Sequence, residues 1–366
     1  MKIYITSPYG YWGDFNPSDL FERGTKDVQI GGGETAMLQL AIQLAANQRN
    51  DVTVFYDVNY YGDYYGVHFL PTSMYVPLAC ITDFDVLICW DAAHMLRYAD
   101  RAKVHVLAFQ LNDPQIGVMD WAVDLYMHPS EWHAKRARES CPEITPAKQI
   151  VGLTNGIDYY RYKPEVPREL HRVIYSSSPD RGLHHLLRIW PEVVSNVPDA
   201  SLHVYYDMKK WLAADEELTK NGIITVTSER AAILRKQLAS LPPSVFIHGG
   251  IGQQRLAEEQ MRSRILAYPC DPVRPTEGFS MTMLEGIVAG CNVITTDADA
   301  LPELWGKSPN VTMLPLPIDD NVWSNQIVDI LRSPIVAKKQ CNLQLAWSTL
   351  ARGWEREIVK VMQRKG

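Results

Sequence analysis

The feature that most restricts the fold is an alternation of short apolar runs with segments of helical periodicity, maintained along the whole chain. "KIYITS", "DVTVFYDV", "DVLICW" and "HVLAF" are near-continuously apolar, as strands covered on both faces of a parallel sheet must be. Between the first two lies "GGGETAMLQLAIQLAANQ", which reads as a glycine turn followed by a helix. Strand, glycine turn, helix, strand is the opening of a doubly wound α/β sheet. This first series closes with "LYMHPSEWHAKRAR" and the strand "QIVGL". A stretch rich in prolines and turn residues, Thr154 to Leu170, marks a junction. Beyond it "RVIYSSS", "SLHVYYD", "SVFIHGG", "RILAYP" and "NVITT" read as strands, and "GLHHLLRIWPEVV", "SERAAILRKQLASL" and "GQQRLAEEQMR" as helices. Two such series predict two Rossmann-like domains facing each other across a cleft, residues 1–154 and 155–345. Residues 346–366, with "AWSTLARGWEREIVKVM", predict a long amphipathic helix carrying large aromatics.

Composition narrows the function classes. A chain of 366 residues, 46% hydrophobic, can bury cores for two domains. Its net charge of −6 argues against a general nucleic-acid or membrane-surface binder, and a nucleic-acid acceptor is disfavoured on the same ground. The six cysteines are scattered without a C-x-x-C pair, as free thiols in a reducing compartment are. No apolar run has the ~18–20 residues of a membrane span, and "MKIYITSPYG" is a strand rather than a signal peptide. The expected location is cytoplasmic.

The stretch "PTEGFSMTMLE" sets Glu277 before a turn and Glu285 inside the following apolar helix. Helix capping offers one explanation, because Thr282 and Glu285 have the S/T-x-x-E spacing of a capping box. That would leave a helix of only Met283 to about Gly290 and give Glu277 no role. A helix beginning near Ser280 frees Glu285 to face a ligand. An ionised carboxylate accepts the two neighbouring hydroxyls of a ribose, and a hexose offers more. The two acids are roughly 10 Å apart by chain geometry, the order of the distance between ribose and sugar in a folded donor. Between them the amides of Phe279 to Thr282 form a helix N-terminus suited to a diphosphate. Gly278 and Ser280 are small enough for close approach.

"EGFSMTMLEGIVAGCNVITTDADALPEL" resembles the E-x7-E signature of glycosyltransferase family 4 and its retaining GT-B relatives. Glu277, the Gly-Phe-Ser turn, Glu285, Gly290, Val293, Ile294 and Pro302–Glu303 carry the likeness. "GGGE" (Gly31 to Glu34) resembles the N-domain glycine loop, "NGID" the entry to the C-domain, and "SSPDRGLHHLLRIWP" the phosphate-binding segment. "WSTLARGWE" resembles the helix that crosses back to the first domain. The resemblance implies a GT-B fold and a retaining transfer of a sugar from a UDP-, GDP- or ADP-sugar to a hydroxyl of a glycan, lipid or small molecule. It implies no cofactor and no bound metal. By position Glu285 would hold the ribose and Glu277 the transferred sugar. The amides of Phe279, Ser280, Met281 and Thr282 would contact sugar and diphosphate. Gly32, Gly33, Ser177 and Arg181 would complete the donor site, with Arg181 neutralising the leaving diphosphate.

Two departures from the pattern matter. The second basic residue expected a few positions before Arg181 is replaced by "YSSS", and the histidine expected after the late N-domain strand by "FQLND". Asp113 falls there, as an acceptor-orienting base or as part of an Asn-Asp-Pro turn. These departures keep two alternatives open: another GT-B enzyme such as a nucleotide-sugar epimerase or phosphorylase, and a non-catalytic module that binds nucleotide-sugar or glycan. Oligomeric state is not legible. His94, His128, His133, His184 and His185 lack metal-ligand spacing with acids and read as core or surface residues. Asp297–Asp299 reads as a loop, and the tyrosine-dense Asp57–Phe69 as a loop that either packs or presents rings to an acceptor.

Overall fold

The structure, a computed structural model, describes residues 1–7, 17, 30–59, 61–110 and 120–366. These gather into two compact units, one running to Asp158 and resuming at Asn342–Gly366, the other comprising Tyr159–Cys341.

In the first unit β1 (Lys2–Thr6), α1 (Gly32–Ala45) and β2 (Asp51–Phe55) are followed by β3 (Gly62–Tyr64), β4 (Val67–Leu70) and α2 (Tyr75–Ile81). Then come β5 (Phe84–Trp90), β6 (Ala102–Ala108), β7 (Leu125–His128), α3 (Glu131–Ser140) and β8 (Gln149–Val151). Among the described residues the strands lie in the order β3-β4-β2-β1-β5-β6-β7-β8, parallel throughout except for the β3–β4 pair. The apolar runs are strands because both faces are covered; Ile3, Ile5, Val52, Val54, Val86 and Ile88 are fully buried.

Two expectations are corrected here. Gly32 and Gly33 do not form a turn; they are the first residues of α1, with extended Gly31 as its N-cap. The tyrosine-dense stretch is not a loop. Tyr65 (φ 54°) and Gly66 (φ 78°) make a two-residue hairpin turn whose positive φ values match the strand twist. The turn lays β4 in parallel register on β2, burying Val67 and Phe69 and leaving Tyr61 and Tyr65 exposed.

The second unit begins with β9 (Glu169–Tyr175), α4 (Leu183–Asn196), β10 (Ser201–Val204), α5 (Met208–Lys220), α6 (Ser228–Leu238) and β11 (Val245–Ile247). It continues with α7 (Gln253–Arg262), β12 (Ser263–Tyr268), α8 (Met281–Ala289), β13 (Asn292–Thr296), α9 (Leu301–Trp305), β14 (Val311–Leu314) and α10 (Asp320–Arg332). Its sheet is parallel in the order β11-β10-β9-β12-β13-β14, so the winding reverses between β9 and β12. Such a reversal of strand order, at the carboxyl ends of the strands, is where open α/β sheets take ligands. Helix α8 lies directly on this sheet: a Cβ on Gly286 would be 2.7 Å from Leu266 Cδ1 and 3.2 Å from Val293 Cγ2.

The chain ends in α11 (Trp347–Lys365), packed on the first unit. The Trp354 ring stacks on Trp90 and its Nε1 donates to Leu153 O at 2.9 Å. Glu355 accepts from the side-chain amides of Asn47 and Asn50 at 2.8 and 2.6 Å. Where the chain leaves this unit and where it returns, the two segments touch. Ile157 N donates to Leu345 O at 2.8 Å, and a Cβ on Gly156 would lie 2.6 Å from Leu350 Cδ1.

Three buried histidines make the fold sensitive to acid. His128 accepts from Gln149 Nε2 at its own Nε2 (2.9 Å), so its Nδ1 carries the proton and donates to His133 Nδ1 (3.0 Å). Burial first, and then His133 and Arg138, hold His128 down to about 2. Burial likewise leads in holding His184 and His203 down to about 3. These folded values lie below the ~6.5 of an unfolded histidine, so the unfolded chain binds more protons and stability falls as pH drops below ~6.5. We expect unfolding near pH 5 to take up about three protons from these rings, measured calorimetrically in buffers of differing ionisation enthalpy. His128→Gln should reduce that uptake by about one; an unchanged uptake would remove His128 from the account.

Candidate functional site

The loop that leaves β9 turns back at once, with Tyr175 OH donating to Ser178 O at 2.7 Å. It ends at Gly182 (φ 118°), where a Cβ would lie 1.7 Å from Pro269 O. No side chain fits, so glycine is required for both its conformation and its space. The contact presses this loop against the one leaving β12, and Asp271 N donates to Arg181 O at 3.3 Å. Arg181 Nη1 in turn donates to Glu277 Oε1 at 2.6 Å, while its Nε lies 3.4 Å from Asp180 Oδ2. Burial opposes the guanidinium charge, but Glu277, Tyr268 and Asp180 outweigh it and raise Arg181 above its ordinary value. Arg181 is therefore charged at every working pH.

The loop from β12 to α8 is held from outside itself. Asp299 Oδ2 accepts from Thr276 N and Glu277 N at 2.8 and 3.0 Å. Phe279 O accepts from Trp305 Nε1 at 2.7 Å, with the two rings edge to face. Ser280, the N-cap of α8, has φ 70° and ψ 92°, a region that costs a non-glycine residue about 1–3 kcal/mol. Its Oγ is buried and has no hydrogen-bond partner among the described residues. The helix is nine residues long and ends at Gly290 (φ 78°).

The capping-box reading fails on this geometry. Thr282 Oγ1 donates to Ser176 O at 3.0 Å, and Glu285 Oε2 accepts from Gln260 Nε2 at 3.0 Å. Each side chain is turned toward a neighbouring element because α8 starts at Met281, one position after Ser280. Glu285 is buried and Gln260 fully so, with Tyr162 OH donating to Gln260 Oε1 at 3.0 Å. Burial raises Glu285 above the ordinary carboxylate range, against the opposing effects of Gln260 and Arg161.

Other residues singled out from sequence take varied places. Ser177 is half-buried in the β9 loop, Gly278 buried beside Glu277, and Met281 half-buried at the start of α8. Gly32 and Gly33 belong to the first unit, at the carboxyl end of its sheet, with Gly33 packed on Gln110. Asn112 and Asp113 lie outside the described residues. His184 and His185, read as lacking acidic partners, are instead gathered with Asp271 into a candidate metal-ligand group. Sequence spacing could not reveal it, because Asp271 comes from a different strand's loop. Arginines occupy the donor atoms: Arg188 donates to His185 Nδ1 at 2.9 Å, Arg230 donates to His184 Nε2, and Arg230 also reaches Asp271 at 2.8 Å. His185 Nε2 then donates to Asp271 Oδ2 at 2.8 Å. The group acts as a staple from α4 and α6 to the β12 loop. In the Asp297–Asp299 loop, Asp297 accepts from Leu316 N at 3.0 Å.

Two α/β units with parallel sheets define the GT-B fold. Residues 171–333 match the family described as glycosyl transferases group 1. AviGT4, a glycosyltransferase of avilamycin A biosynthesis, is 13% identical with a TM-score of 0.62, covering 99% of this chain and 98% of its own. Sucrose-phosphate synthase from Thermosynechococcus elongatus is 14% identical at 0.62, with 99% and 98% covered. HepE from Anabaena, solved with UDP and glucose, is 15% identical at 0.61, with 100% and 98% covered. A comparison with curated proteins finds no match.

Burying the Glu285 carboxylate costs the ligand-free protein stability. With its folded pKa above the unfolded value, Glu285 stabilises only at acid pH, and the contribution is lost as pH rises through the folded value. Glu285→Gln keeps an acceptor for Gln260 and should raise Tm at neutral pH by about 2–4 °C, read by calorimetry without ligand. A lower Tm would show that the charge is stabilised in place.

Proposed function

We propose that this chain is a retaining glycosyltransferase that moves a hexosyl group from a nucleotide-sugar to an acceptor hydroxyl. The observation that carries this reading is the Arg181–Glu277 ion pair where the second sheet reverses its winding, with Ser280 and Glu285 on the α8 segment that follows Glu277. Two acids in that position serve ligand hydroxyls, and one buried serine hydroxyl has no partner among the described residues. The group 1 glycosyltransferase match over residues 171–333 and the likeness to HepE, also solved with UDP-glucose, support it.

In this reading Glu285 accepts the ribose hydroxyls, and Glu277, steadied by Arg181, accepts hydroxyls of the transferred sugar. Ser280 and the amides at the start of α8 hold the diphosphate. As the bond between the anomeric carbon and the phosphate oxygen breaks, its electron pair stays on the diphosphate. Arg181 and the helix N-terminus stabilise that charge, doing without a metal. The acceptor oxygen bonds to the anomeric carbon from the same face and gives its proton to the departing phosphate. Asp113 orients the acceptor in this proposal, and the donor is a UDP-, GDP- or ADP-sugar. Exposed thiols at Cys80 and Cys341 suit a reducing, cytoplasmic setting. Among the described residues no helix is long and apolar enough to cross a membrane.

Thermal shift against UDP, GDP, ADP and their sugars selects the donor, and transfer assays then separate the roles. Arg181→Ala should lower kcat about 10²–10³-fold while changing nucleotide Kd little. Glu285→Ala should raise nucleotide Kd about tenfold or more, in line with loss of a charge-assisted hydrogen bond. Normal transfer by both variants would sink the assignment, and donor binding without transfer or hydrolysis would favour a binding module.

A further inference from the structure

Asp297–Asp299 reads from sequence as an ordinary loop, yet the surroundings of Asp299 are unusual. It follows β13 and sits in the left-handed region (φ 52°), which few residues other than glycine adopt. Its Oδ2 accepts two consecutive backbone amides, Thr276 N at 2.8 Å and Glu277 N at 3.0 Å, from a loop more than twenty residues earlier in the chain. The next residue continues the contact, with Ala300 N donating to Glu277 O at 3.2 Å. The peptide groups on both sides of the Glu277 Cα are thereby fixed, and with them the direction in which its side chain leaves toward Arg181.

We propose that Asp299 is a positioning residue: it clamps the Glu277 backbone so that the Glu277–Arg181 pair is preformed for the donor. The proposal rests on the transferase reading given above. Without that oxygen the two part-buried amides would need water or a rearranged loop for a partner. Aspartate and asparagine enter the left-handed region more readily than most residues other than glycine, which would adopt it more cheaply but without the acceptor.

Three variants separate the clamp from its backbone. Asp299→Gly relieves the strain and removes both hydrogen bonds; Asp299→Ala removes the bonds and keeps the strain; Asp299→Asn keeps an acceptor and a residue tolerant of the left-handed region. We expect Asp299→Gly and Asp299→Ala to lower kcat about tenfold or more, with nucleotide Kd within about threefold of the parent, because misorientation of a reacting group affects turnover before affinity. Asp299→Asn should recover most of the turnover. Hydrogen exchange supplies a readout that does not depend on catalysis. In the ligand-free protein the Thr276 and Glu277 amides should exchange faster in the Gly and Ala variants and stay protected in the Asn variant. Full turnover in Asp299→Gly would overturn the proposal, since only the backbone conformation would then matter. Equal loss in the Asn and Gly variants would overturn it too, pointing to the charge rather than the clamp. If the parent transferred no sugar, the transferase reading would fall while the exchange pattern still decided whether Asp299 holds the loop.

Discussion

The ion pair between Arg181 and Glu277 is the interaction around which the second unit's reversal point is organised. It spans 2.6 Å between loops that leave two different strands, β9 and β12, and neither loop has a reason of its own to meet the other. The meeting is possible because Gly182 has no side chain to strike Pro269 O. It is directed because Asp299 holds the Glu277 backbone and Trp305 the Phe279 carbonyl. The pair is largely buried, so the cost of desolvating both charges offsets much of its coulombic gain. Its consequence is geometric: a fixed cation and a fixed carboxylate stand at the mouth of a parallel sheet.

The surroundings of that pair carry costs that a well-packed core would avoid. Ser280 and Asp299 occupy left-handed backbone, Glu285 is a buried acid, and Ser280 Oγ has no partner among the described residues. Such features persist only where neighbouring structure enforces them, and they concentrate where ligands bind. Here the enforcement comes from α8, wedged on the sheet through Gly286, and from the staple of His185, Arg230 and Asp271.

Much of this was legible in the chain, and the rest was hidden for physical reasons. Continuous apolar runs betray parallel strands because burial on both faces leaves no alternation, so most strands could be read directly. The acids Glu277 and Glu285 stood out because capping could not explain the first. The hairpin at β3 and β4 escaped because its turn is Tyr65–Gly66, lacking the asparagine or aspartate that usually signals it. Helices α5, α9 and α10 and strand β14 were also unread, lying among polar or proline-rich stretches. The capping box stayed open as a rival to a helix starting near Ser280, because spacing alone cannot show that Thr282 has Ser176 O within reach. The role of Asp299 and the gathering of Asp271 with two histidines depend on contacts between distant segments, about which local pattern is silent.

The order of residues sets the alternation that builds two doubly wound sheets, and it puts two acids at the ends of one short turn. Periodicity and residue chemistry are local, so both could be read in order along the chain. Tertiary structure decided which side chain faces which: that Arg181 pairs with Glu277, that Glu285 leans on Gln260, and that Asp299 holds the loop between. Those partners are brought together by the reversal of strand order between β9 and β12, and strand order is a property of the folded sheet alone.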